Sequence, residues 1–265
     1  MPVPVAPFVA AVQRKGQNAA PFVPASLAGL ILDLDSTLGV YQDAAGTTPA
    51  VLDTDPVGLW QDQSGLGHHA TQTTDNARPL LKLNQINGHS ALLFDGSNDF
   101  LTLGNPATLQ VGAGDVVTIF VVYASTNNAA TQTLLGQNNA AGAMQLYFAT
   151  AAAGNSMRGV IVPGQYVMET LNNLSLEGTT TPFNAWETLC YRRVGSGANT
   201  QDVWRNGVHM YVKTDADISF TGHGVKEIGR RASNSNQFAG PMARMLIWNR
   251  ALTLDEVDSV NDYLL

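Results

Sequence analysis

From Leu30 onward the chain is a succession of short apolar runs divided by clusters of Gly, Asn, Asp, Ser and Pro. That is the pattern of strands joined by tight turns. Residues 116–123, VVTIFVVY, are β-branched or aromatic almost throughout, the composition of a strand buried on both faces. The run ILDLD after Leu30 and residues 133–135, 144–149, 159–162, 185–192, 222–228 and 243–248 are expected as further strands. The clearest hairpin spans residues 203–212, where Asn206-Gly207 separates two apolar-aromatic runs. Both central residues of such a turn need φ > 0, which Asn and Gly tolerate.

The one helix expected closes the chain. Thr253 and Glu256 have capping-box spacing, and Leu252 and Val257 are placed as its hydrophobic staple. Asp255 and Glu256 suit the positive end of the helix dipole. Val257, Val260 and Leu264 recur on one face and should pack against a sheet. No internal repeat of solenoid or propeller length is visible.

Residues 1–27 read differently. Pro2, Pro4, Pro7, Pro21 and Pro24 forbid a regular helix or central strand. Val3, Val5, Phe8, Val9, Phe22 and Val23 are nonetheless too apolar for a solvated linker. An extended arm buried on a partner protein or sister subunit accounts for both facts; a tucked N-terminal strand is the alternative. The organisation expected is an arm over 1–27 and one domain over 28–265.

Composition narrows the field. Charged residues are 13% of the chain, about half the usual share, so Asn, Gln, Ser and Thr must supply the polar surface. The net charge is −7 and no Lys/Arg cluster exceeds Arg192-Arg193 or Arg230-Arg231, which argues against nucleic acid. The single cysteine, Cys190, allows no intrachain disulfide. Alternation along 186–190 puts Trp186, Thr188 and Cys190 on one strand face, and the thiol reads as a small buried hydrophobe. The N-terminus lacks a basic region before its apolar stretch, so no signal peptide is expected, and the dense apolar run 116–124 is too short to span a bilayer.

Two segments carry a resemblance. WQDQSGLGHHATQ with RPLLKLNQINGHSALLFDGSNDFLTL, and QFAGPMARMLIWNRALTLDEVDSVNDYLL at the end, resemble the concanavalin A-like, laminin-G-like jelly rolls of bacterial surface and phage virion proteins. The Asn-Gly hairpin and the ending NRALTLDEV…YL add to it. The resemblance implies an all-β fold: a two-sheet antiparallel jelly-roll sandwich with an extended N-terminal arm and a short C-terminal helix. GVYQDAAGTTPA…DPVGLWQDQSGLGHHATQ…RP also looks like segments of phage structural proteins.

Candidate chemistry is sparse. Glucanases of this superfamily set two glutamates around an aspartate on one strand face, because retaining hydrolysis needs closely facing carboxylates. No E-x-D-x-x-E or E-x-D-x-E pattern occurs; Glu169 and Glu177 are isolated, and Glu187 has no carboxylate two residues away. The helix carboxylates Asp255, Glu256 and Asp258 are explained by capping and dipole. His68-His69 would face opposite ways on a strand, with no Cys or nearby His to complete a metal set. Ser64-Gly65-Leu66-Gly67 lacks the ending of a phosphate loop, and no G-x-S-x-G elbow appears. The best metal candidate is Asp95-Gly96-Ser97-Asn98-Asp99: Asp95, Asn98 and Asp99 suit the oxygen shell of calcium, which relatives of this fold often hold. A plain turn with Asp and Asn bonding their own backbone is the alternative. No other cofactor is expected.

Three functions compete. The first is a non-enzymatic phage virion structural protein: an outward-facing, lectin-like jelly roll decorating capsid or tail, joined to other virion proteins through the arm and able to touch host glycans. It is expected in an oligomeric assembly, made in the host cytoplasm, without nucleic acid or membrane insertion. The second is a carbohydrate-binding module of a bacterial surface protein, for which Tyr41, Tyr147, Tyr166 and Phe238 are candidate exposed aromatics; Trp60, Trp186, Trp204 and Trp248 read as strand or core. A polysaccharide-cleaving enzyme comes last.

Overall fold

The computed structural model describes residues 22–109, 116–126, 132–138, 143–151, 154–162, 185–194, 199–215, 225–230 and 236–265. Its strands, in chain order, begin with β1 (Leu30–Asp35), β2 (Val40–Tyr41), β3 (Leu59–Trp60), β4 (Ala70–Thr71), β5 (Leu80–Ile86) and β6 (His89–Asp95). Next come β7 (Leu101–Gly104), β8 (Val116–Tyr123), β9 (Gln132–Asn138), β10 (Ala143–Ala151) and β11 (Gly154–Val162). The last are β12 (Glu187–Val194), β13 (Asn199–Arg205), β14 (Val208–Asp215), β15 (Val225–Ile228) and β16 (Ala239–Trp248). A single α-helix, α1 (Leu254–Leu264), follows them.

Among the described residues these form two eight-stranded antiparallel sheets. The first runs β14-β13-β12-β8-β16-β6-β5, with β1 also on β16; the second runs β11-β10-β9-β15-β7-β4-β3-β2. This is the expected all-β sandwich. The last long strand organises it: β16 pairs β8 along one side, while β6 takes its first half and β1 its second.

Alternation along β8 shows why the first sheet needs apolar residues on both faces. Val117, Ile119, Val121 and Tyr123 point into the core between the sheets, beside Leu32, Leu34, Phe94, Met245 and Ile247. Phe120 and Val122 point outward into a second core with Cys190, Trp204, Leu246 and Trp248, roofed by Val257, Val260 and Leu264 of α1. Each such side chain contributes about 1.5–3 kcal/mol on full burial. The doubly apolar run at 116–123 is thus the middle layer of three.

Local signals behave as expected. Thr253 caps α1 in a capping box with Glu256, and both staple residues, Leu252 and Val257, are buried. Asn206 and Gly207 take φ of 49° and 74° at the β13–β14 turn. One close approach demands glycine: at Gly240 (φ 142°) a Cβ would lie 2.0 Å from the Ala124 carbonyl oxygen. Among the described residues no helix is long and apolar enough to cross a membrane.

Candidate functional site at the loop end of the sandwich

Register places the loops. Asp95 pairs with Ala239, and Tyr123 pairs with both Met242 and Glu187, so all lie toward the start of β16. Leu30 pairs with Trp248 at the other end, about 30 Å away along the strand. Three connections meet at the Asp95 end: residues 72–78, 95–100 and 227–230.

The loop after β6 folds around its own carboxylates. Asp95 Oδ1 accepts from the amides of Ser97, Asn98 and Asp99 at 2.8, 3.1 and 3.3 Å, and Asp99 Oδ2 accepts from the Asp95 amide at 2.9 Å. Asn98 then reaches sideways, its Nδ2 donating to the Asn76 carbonyl at 2.5 Å. Gln72 Nε2 donates to the Phe100 carbonyl, and the Phe100 amide to Ala77. The Arg230 guanidinium lies 3.2 Å above the centre of the half-buried Phe100 ring and is held in plane by a two-pronged pair with Glu227 at 2.7 and 2.8 Å. Arg78 is fixed by the Gln72 and Thr73 carbonyls and by Asp75. The result is a braced platform of a planar cation on an aromatic ring, edged by Asn76, Ser97 and Asn98.

Its electrostatics lean acidic. Burial, and secondarily the charge of Asp95, push the Asp99 carboxyl up to about 7, against a smaller lowering by its bond from the Asp95 amide. Against Asp75, Asp95, Asp99 and Glu227 stand Arg78 and Arg230, and both cations are already paired. Such a surface suits neutral, hydroxyl-rich ligands better than anionic ones. For calcium, Asp95 and Asp99 supply two carboxylates of the six to eight oxygens the ion takes. Asp95 Oδ1 is already committed to three amides, so carbonyls or water would have to complete the shell.

The WQDQSGLGHHA segment is a structural knot. Asp62 accepts from the Asp33 and Ser64 amides, the Ser64 hydroxyl and the His68 amide, at 2.7–3.0 Å. His68 is buried between the Ile31 carbonyl and the Thr108 hydroxyl, 2.7 Å from each. His69 Nδ1 accepts from the Asp62 amide. His68 is thereby engaged at both ring nitrogens and the exposed His69 at Nδ1, and among the described residues no three His, Cys, Asp or Glu side chains converge on a metal position. The spelling of this segment signalled the fold; nothing in it marked Asp62 as the hub.

Glu187 sits between Arg205, its ion-pair partner, and the Tyr123 hydroxyl at 3.2 Å. Burial raises its carboxyl above the usual range, opposed by Arg205. Glu169 and Glu177 lie outside the described residues. Cys190 is buried and its thiol is pushed well up by burial, which fits the core reading. Of the candidate exposed aromatics, Phe238 is corrected: it is fully buried, edge-on to Phe94 and Tyr123, because the β16 approach draws it between the sheets. Tyr41 is half-buried, Tyr147 lies on β10, and Tyr166 is outside the described residues. Trp60, Trp204 and Trp248 are buried, and the half-buried Trp186 donates to the Gln85 carbonyl. Phe100 carries no signal in the sequence beyond its place beside the 95–99 turn.

Of the arm residues, Val3, Val5, Phe8 and Val9 lie outside the described residues. Phe22 packs edge-on against Tyr263 of α1, with ring centres 5.8 Å apart, whereas Val23 is 49% exposed. Phe22, placed in the arm by the sequence, thus contacts the closing helix.

Residues 95–258 match the family Laminin_G_3, described as concanavalin A-like lectin/glucanases superfamily. No match was found among curated protein sequences. Among solved structures, domain 4 of AbnA, a GH43 extracellular arabinanase from Geobacillus stearothermophilus solved with arabinotriose, aligns with a TM-score of 0.55 at 13% identity. That alignment covers 89% of this chain and 98% of the domain. A GH54 α-L-arabinofuranosidase aligns at 0.58 and 18% identity, over 80% of this chain and 51% of that one. The binding domain of Paraclostridial Mosquitocidal Protein 1 aligns at 0.53 and 13%, over 88% and 52%. The chain thus spans about half the length of the last two, and at these identities the likeness is one of fold.

Proposed function

We propose, for a chain that belongs to the concanavalin A-like lectin/glucanases superfamily, a non-enzymatic, lectin-like display role on a phage virion. The loop end of the sandwich contacts neutral glycan, and the N-terminal segment joins the domain to other virion proteins in an oligomeric assembly. The observation that carries the glycan half is the Phe100–Arg230 platform with its Asn76 and Asn98 edge. Small-molecule sites combine aromatic side chains with a few fixed polar groups. Hydrolysis needs more: two facing carboxylates or an activated nucleophile. Glu187 is instead engaged by Arg205 and Tyr123.

The virion half rests on the phage-like spelling of residues 39–79 and on the apolar, proline-broken segment 1–21. A carbohydrate-binding module of a bacterial surface protein uses the same platform and differs only in what carries it. Titration of arabinotriose and a panel of neutral oligosaccharides, followed by calorimetry, tests the shared step. Binding lost in Phe100→Ala and weakened in Asn98→Ala, with no product released over long incubation, is the expected result. Turnover abolished by Glu187→Gln, or wild-type binding retained in Phe100→Ala, would sink this reading.

A further inference from the structure

The chain carries two Asn-Gly turns whose surroundings differ sharply. Asn206 is clamped: its Oδ1 accepts from the Thr188 amide at 2.9 Å and its own amide donates to the Thr188 carbonyl at 2.8 Å. The flanking pairs Arg205–Val208 and Trp204–His209 are in place, and a Cβ on Gly207 would lie 3.1 Å from Leu265. Asn87-Gly88 joins β5 to β6 with φ of 49° and 82°, and both residues are exposed. A Cβ on Gly88 would meet nothing within 4 Å. One pair, Ile86–His89, closes this turn before the register breaks, and pairing resumes only at Lys82–Ala91. Leu83, Asn84 and Gln85 in the break are exposed; the Leu83 amide donates to Asp53 Oδ1 and Trp186 Nε1 to the Gln85 carbonyl, each at 3.0 Å, and both bonds fall outside the Asn87-Gly88 tip.

We propose that Asn87 is a site of spontaneous deamidation, a modification from which the fold shields Asn206. The reaction needs the Gly88 amide nitrogen to reach Asn87 Cγ, which a tight turn prevents until it opens. The loosely tied tip opens locally far more readily than the clamped one. Gly88 nitrogen, giving its proton to solvent base, bonds to Cγ; the bond from Cγ to the side-chain nitrogen breaks and ammonia leaves. Water then opens the cyclic imide at either carbonyl, leaving aspartate or isoaspartate at position 87. Either product adds a negative charge at the tip, and isoaspartate also lengthens the backbone through the two-residue turn.

The intact protein, aged at mildly alkaline pH in native buffer and in guanidinium, is mapped by peptide mass spectrometry with isoaspartate-specific methylation. In guanidinium the two Asn-Gly steps should convert at similar rates, since the dipeptide is the same. In native buffer position 87 should convert roughly ten-fold faster or more than position 206. Equal native rates, faster conversion at 206, or a native position 87 that stays intact while the denatured chain converts would each overturn the assignment.

Discussion

Asp99 shows how one buried carboxyl can shape the behaviour of the whole loop end. Its ordinary value is 3.8 and its folded value about 7. Between those limits the native state keeps a proton that the unfolded chain releases. Stability must therefore fall as pH rises from about 4 through 7 and level off above. Asp99→Asn preserves an acceptor for the Asp95 amide and removes the titration. Thermal unfolding at pH 5 and 8, read by circular dichroism, should show the variant gaining most at the alkaline end. We also propose that calcium, where bound, is held through Asp95, Asn98 and Asp99. Added calcium should then raise the wild-type melting temperature at alkaline pH and leave Asp99→Asn unmoved; no shift in either would remove the proposal. The residue scale was the least legible in the sequence. The 95–99 cluster stood out because turn residues are recognisable by type. Phe100 owes its role to Arg230, and Asp62 ties its own loop to β1 through the Asp33 amide, separations no local pattern reveals. Phe238, a candidate exposed aromatic by sequence, is core by its packing.

At the scale of elements, local chemistry and long-range pairing divide the fold between them. The cap, staple and apolar stripe of α1 lie within thirteen residues and were readable, as were β8 and the Asn206-Gly207 turn. Thr253→Ala removes the acceptor for the Glu256 amide and should cost about 1 kcal/mol in denaturant unfolding, with the slope unchanged. Glu256 also pairs with Arg250, and chiefly that bond holds its carboxyl down to about 2. The stability it adds is present above its ordinary 4.5 and is lost as pH falls toward 2, the reverse of Asp99. Pairing was not readable. That β16 carries β8 on one side and shares its other side between β6 and β1 depends on segments more than a hundred residues apart. Gly240 is the local sign of that crowding. Gly240→Ala should cost roughly 3 kcal/mol or more, or prevent folding, because the Ala124 carbonyl has no room to withdraw from a paired strand. A variant as stable as wild type would mean that β16 and β8 are less tightly joined than their register implies.

At the scale of the molecule, the remaining question is how the domain is carried. Phe22 rests on Tyr263, Pro24 is buried, and Leu27 packs into the core beneath α1. These residues pack with the domain, and we propose that the segment before them, 1–21, is the part that meets a partner. Within it Val3, Val5, Phe8 and Val9 would each contribute about 1.5–3 kcal/mol on full burial. Ordering a chain costs roughly 1–2 kcal/mol per residue, so burial of these few cannot hold all 21 residues without a partner surface to add contacts. The prolines at 2, 4, 7 and 21 reduce that cost by restricting the unbound chain. Two truncations separate attachment from folding. Removal of residues 1–21 should leave the melting temperature within a degree or two of wild type, on the scale of a surface change. If the virion proposal holds, the same protein should fail to join the assemblies that the full chain enters. Removal of residues 1–27 takes Phe22 and Leu27 from the outer core and should lower stability by about 3–5 kcal/mol. Assembly by the 1–21 deletion at wild-type yield would place the attachment surface on the sandwich itself, and the virion reading would then have to find its contacts there.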